Sequence, residues 1–155
     1  MDKSDLLGQC IDVLGSQPHE IRENESCHEI NINLPDLPEC NRKMLIESRR
    51  NLVIIYSQCK SIRAQTDEQK KNCLRFISKA NEGISFGNVE LNYDSGEFRY
   101  KTSQAFPGVR DARPVIAFML EQQNINFQRL VEVLPRMLTG EIDFANAAQH
   151  VTNLQ

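Results

Sequence analysis

The sequence predicts a two-layer α+β domain, an antiparallel sheet of about five strands with helices packed on it. Three observations carry this: period-2 alternation at Ile30, Ile32 and Leu34, a hairpin pattern about Ser95-Gly96, and apolar stripes at helical spacing before, between and after these stretches. At 155 residues and 40% apolar content the chain is large enough to bury a sizeable core, and it reads as a single domain over 1–155.

A first helix is expected over about residues 3–15, where Leu6, Leu7, Cys10, Ile11, Val13 and Leu14 recur at helical spacing and Gly15 stands at the C-terminal cap. Ile30, Ile32 and Leu34 then alternate with Glu29, Asn31 and Asn33 as a strand with one buried face, ended by Pro35 and Pro38. Met44-Leu45-Ile46 and Leu52 through Tyr56 flank the polar stretch 47–51, which predicts a second hairpin strand and a third, central one. That third strand is apolar on both faces. It therefore calls for cover on both sides, by a helix and by further structure such as a second subunit.

Thr66, with Gln69 three residues on, forms a capping box that opens a second helix, lined by Cys73, Leu74, Phe76, Ile77 and Ala80 and closed by Gly83. In the hairpin, a two-residue Ser95-Gly96 loop sets Tyr93 against Phe98, Leu91 against Tyr100 and Val89 against Thr102, with Glu90 opposite Lys101 and Asn92 opposite Arg99 on the other face. Gly87 is expected to be a bulge. Asp111 is expected to cap a third helix running to about Gln123, with a separate helical run from about Asn126 kinked at Pro135 and ended by Thr139-Gly140. A short Ala-rich helix follows from about Asp143 to Val151.

Several function classes lose support on composition. Lys+Arg total 18 against 21 Asp+Glu, a formal net charge of -3, so nucleic acid is not an expected partner. No apolar run nears the roughly 20 residues of a membrane span, and Met1-Asp2-Lys3-Ser4-Asp5 does not read as a secretory signal, so a cytoplasmic location is expected without membrane contact. Five widely spaced cysteines, Cys10, Cys27, Cys40, Cys59 and Cys73, read as reduced and mostly buried.

Catalytic and cofactor signals are missing. Metal ligation wants paired Cys and His steps; here Cys27-His28 are merely adjacent, with side chains expected on opposite faces of a strand. None of His19, His28 and His150 lies in a nucleophile motif, and no glycine pattern forms a phosphate loop. Glu121, Glu132, Glu141 and Asp143 form no marked acid-base pair. The expectation is a protein that is not an enzyme and carries no cofactor. The basic pairs Arg42-Lys43, Arg49-Arg50 and Lys70-Lys71 read as solvated turns and a helix face, and Arg129, Glu132 and Arg136 as an exposed ion-pair row.

Gly87-Asn88-Val89-Glu90-Leu91 and Gly96-Glu97-Phe98-Arg99-Tyr100, joined by an acidic-Gly turn, resemble the core of the YbjN family, whose domains have the type III secretion chaperone-like fold. The helices that follow, through Leu134-Pro135 and Gly140, fit that family in order, whereas residues 1–60 match only in the order of elements. The resemblance implies a small helix-sheet domain, often dimeric, with a chaperone-like or regulatory role and no catalytic residues. A fold does not by itself establish a function.

The leading functional expectation is thus a binding or adaptor domain for a protein partner, which could be a second copy, with Phe118, Met119, Phe127 and Met137 as candidate contact residues. The alternative is a small-ligand binder or enzyme whose pocket forms only on folding, with His28 beside Cys27 or Glu29 as its candidate centre.

Overall fold

In the computed structural model, which describes residues 3–152, the elements run α1 (Lys3–Leu14), β1 (His19–Glu23), β2 (His28–Asn33), β3 (Cys40–Glu47), β4 (Leu52–Arg63), α2 (Asp67–Gly83), β5 (Asn88–Leu91), β6 (Glu97–Ala105), α3 (Arg113–Leu138) and α4 (Phe144–Thr152). The strands form one antiparallel sheet in the order β1-β2-β3-β4-β6-β5. It is an α+β fold with six strands, one more than expected. The extra strand, His-Glu-Ile-Arg-Glu, is an edge strand whose last four residues are exposed, so no buried face marked it in the sequence.

Strict alternation decides which face the helices cover. Cys40, Arg42, Met44 and Ile46 of β3, Val53, Ile55, Ser57 and Cys59 of β4, and Phe98, Tyr100 and Thr102 of β6 are all buried. The apolar members of this set pack with buried residues of all four helices. Leu45, Leu52, Ile54 and Tyr56 point the other way and are half-buried. Among the described residues they belong to neither apolar cluster that the helices cover; Arg99 and Lys101 instead lie over the Tyr56 ring, 4.6 and 5.9 Å from its centroid. Cover of the central strand by helices is therefore one-sided.

Two helix predictions merge into one element. Residues 113–138 form a single helix with Pro135 inside it, and Asp111 lies just before its start, its Oδ1 accepting the Arg113 N–H at 3.2 Å. The stretch 122–126, where one expected helix ended and the next began, is continuous helix. In the fold it is where the helix crosses a polar band, and its side chains find partners on the sheet. Thr66 and Gln69 make the capping box of α2 as expected, and Asp143 caps α4 by accepting from Asn146 N–H at 2.8 Å.

The β5–β6 hairpin keeps its predicted faces but not its partners. Leu91 pairs with Phe98, Val89 with Tyr100, Glu90 with Arg99 and Asn88 with Lys101. The loop is longer than two residues: Asn92 N–H donates to the Glu97 carbonyl at 2.9 Å, and the Asn92 side chain accepts from the Asp94 and Ser95 amides. Tyr93 is consequently an exposed loop residue under Lys70, not a partner of Phe98. Gly96 closes the loop at φ +73°, and a Cβ there would lie 2.0 Å from the Ala64 carbonyl oxygen. Gly87, at φ +80°, stands immediately before β5, not within a strand as a bulge.

The core has two apolar compartments. One gathers Leu6, Cys10, Ile30, Met44, Ile55, Ile116 and Met119; the other Cys59, Phe76, Tyr100, Phe127, Leu134 and Val151. A row of buried polar side chains runs between them.

Candidate functional site

The row begins where β3, β4 and β6 lie side by side, with Arg42 opposite Ser57 and Ser57 opposite Tyr100. All three side chains face the helices because their strand parity is that of the core. Arg42 Nε donates to Ser57 Oγ at 2.8 Å, and Ser57 Oγ donates to Gln123 Oε1 of α3 at 2.7 Å. Gln123 Nε2 then donates to the Ile55 carbonyl at 2.8 Å and to Thr102 Oγ1 at 3.0 Å. One turn along α3, Asn126 Nδ2 donates to Tyr100 Oη at 3.1 Å, and the Tyr100 hydroxyl donates to the Phe86 carbonyl. Burial, partly offset by the Asn126 bond, pushes the Tyr100 phenol up to about 12, so it remains a donor at all ordinary pH.

This belt carries one formal charge. Arg42 is 3% exposed, and among the described residues no carboxylate lies within ion-pair distance of it. Its Nη1 donates to Asn124 Oδ1 at 2.6 Å, a neutral acceptor. Burial pushes the guanidinium down to about 10, which still leaves it charged at neutral pH. A buried charge with only neutral partners costs several kcal/mol. The Arg42 end of the belt borders a cleft of about 610 Å³ between the loop of Leu34 to Leu37 and the Asn124, Phe127 and Gln128 stretch of α3.

The predicted contact residues divide. Phe118 is 44% exposed, with the Phe86 ring edge-on to it at 5.1 Å. Met119, Phe127 and Met137 are 0%, 4% and 7% exposed and lie in the two core compartments. They face the sheet because they fall on the inner stripe of α3 with Ile116, Leu120, Leu130 and Leu134. As surface contacts they are a correction. The outer side of α3 instead exposes Val115, Phe118 and Ile125, within one arc of the helix.

The histidines remain apart. His19 Nδ1 is 2.7 Å from the Gln17 carbonyl, and His150 Nε2 is 3.8 Å from Glu132. Cys27 and His28 border a depression with Ser48 and Arg49. Among the described residues, no three His, Cys, Asp or Glu side chains gather where they could hold a metal ion. Cys40 and Cys59 are directly opposite on β3 and β4, both free and both buried. Where an ion-pair row was expected on α3, Arg129 reaches the Val151 carbonyl, Glu132 lies 3.8 Å from His150, and Arg136 pairs with Glu141.

Sequence reasoning missed Arg42, Ser57, Thr102, Gln123 and Asn126. The available signal was Gln123 and Asn126 on the inner stripe of a helix, and Ser57 at an inward position of an apolar strand. No protein-family model, curated protein or solved structure matches the chain. No described helix is long and apolar enough to cross a membrane.

Proposed function

We propose that the protein is a non-catalytic, cytoplasmic adaptor or chaperone-like domain that binds an apolar helical segment of a protein partner along the outer side of α3. The observation that carries this is the second apolar stripe of that helix: Val115, Phe118 and Ile125 stay 38–44% exposed although the inner stripe already fills the core. Such i, i+3 and i+10 spacing suits a partner helix laid alongside. The resemblance of the β5–β6 hairpin to the YbjN family supports the same reading.

The test is site-specific cross-linking. A photoreactive phenylalanine analogue replaces Phe118 in one sample and the exposed Lys79 on α2 in another, and adducts formed in lysate of the source organism are identified by mass spectrometry. A single protein captured from position 118, not from 79, and lost when Ile125→Asp is added, supports the reading. Adducts of the chain with itself identify the partner as a second copy. Equal capture from both positions, or none, overturns it.

A further inference from the structure

We propose that the cleft above Arg42 is a binding site for a carboxylate carried on an apolar body, with the guanidinium taking the carboxylate and Leu34, Leu37 and Phe127 taking the body. Arg42 is 97% removed from solvent, being 3% exposed, yet it borders this cleft. Its Nε is used by Ser57 and its Nη1 by Asn124. Nη2 has no hydrogen-bond partner among the described residues, and it is not among their sealed, unpartnered polar atoms. It is therefore an available donor on a fixed, desolvated cation. The two bonds already made lock the guanidinium plane, so a ligand meets a pre-oriented donor.

The surroundings select the class of anion. One guanidinium supplies a single positive charge, and Asp36 stands exposed at the rim, which disfavours a dianion such as phosphate. Leu34, Pro35, Leu37 and Phe127 supply an apolar part of the wall beside the neutral amides of Gln17, Asn124 and Gln128, and about 610 Å³ accommodates a small ligand. A free organic acid and the C-terminus of a peptide share this chemistry. The site does not depend on the docking stripe of α3, whose residues Val115, Phe118 and Ile125 lie outside the cleft lining.

The test is titration of the full chain followed by backbone amide shifts in NMR, with hexanoate, N-acetylleucine, N-acetylleucinamide and inorganic phosphate as probes. At least one of the two acids is expected to bind saturably, to move the Asn124, Phe127 and Gln128 signals, and to bind roughly tenfold or more tightly than the amide. Preference for hexanoate assigns a free acid, and preference for N-acetylleucine assigns a chain terminus. Asn124→Asp places an internal carboxylate on Nη1 and is expected to abolish the acid preference. Gln128→Glu, at the rim and without contact to the belt, is expected to weaken the acids and leave the amide unchanged, and it carries the test if Asn124→Asp does not fold. Equal binding of acid and amide, tighter binding of phosphate, no movement of these signals, or an acid preference that survives the folded variants overturns the proposal.

Discussion

Ser57 Oγ and Gln123 Oε1 lie 2.7 Å apart and join the middle of the sheet to the middle of its longest helix. Because Ser57 also accepts from Arg42 and Gln123 also holds Thr102 and the Ile55 carbonyl, the contact sets where α3 sits along β4. Displacing the helix by one turn would leave all of these groups buried without partners. Hydrophobic packing alone tolerates such slippage; a directional network does not.

Gln123→Leu should therefore destabilise the fold although it adds apolar surface. It leaves the Ser57 O–H without its acceptor and the Thr102 hydroxyl without the Gln123 donor, and each such buried group costs about 1–3 kcal/mol. Urea unfolding should show a lower midpoint with an unchanged slope. Adding Ser57→Ala should cost less than the two single changes summed, since both remove the same bond.

Acid should weaken the fold in a way that two glutamates explain. For Glu29, the Asn31 hydrogen bond and the Lys43 contact outweigh burial and hold its carboxyl below the usual range. At Glu90 burial opposes, but hydrogen bonds from Asn88 and Arg99 and the charges of Arg99 and Lys101 prevail in the same direction. Both are lowered in the folded chain. The stability they contribute is thus fully present above the unfolded carboxyl value, about pH 4.3, and is lost as pH falls through their folded values. Glu90→Gln should flatten the acid limb of a stability-against-pH curve, and an unchanged limb would contradict the assignment.

Thiol reactivity should be sharply graded. Burial pushes the Cys10, Cys40 and Cys73 thiols up to about 12, while Cys27 is the half-buried exception among the five. With a thiol reagent at mildly alkaline pH, Cys27 should react first and Cys10, Cys40 and Cys73 only on unfolding. Peptide mapping after brief alkylation checks the order.

Two glycines should respond in opposite senses to alanine. Gly96→Ala forces a Cβ onto the Ala64 carbonyl at positive φ and should cost more than about 1 kcal/mol. Gly8 lies inside α1 with open space where its Cβ would be. Gly8→Ala should raise stability by about 0.5–1 kcal/mol, read from the same denaturation curves.

Legibility in the sequence followed the strength of local rules. Thr66 and Gln69 announced α2 because a capping box is satisfied within four residues. Ile30 and Ile32 announced the covered face of β2 because alternation needs only its own strand. The hairpin register failed for a non-local reason: the loop after Leu91 is shaped partly by Ala64, whose N–H donates to the Gly96 carbonyl at 2.9 Å. The candidate site was hidden in the same way. Arg42, Ser57 and Gln123 are each unremarkable in their own segments, and their meaning arises only when β3, β4 and α3 meet. Phe127 misled because an aromatic residue on a helix reads alike whether it faces the sheet or solvent.

The division of the core has a consequence for how the molecule breathes. Helix α1 belongs to one apolar compartment and α2 and α4 to the other, whereas β3, β4 and α3 contribute to both. Local opening can thus release either end while the shared three elements stay closed, giving two sub-global units hinged on a common spine. Amide exchange would register this as slow protons in β4 and the middle of α3, with two faster and mutually independent populations on either side.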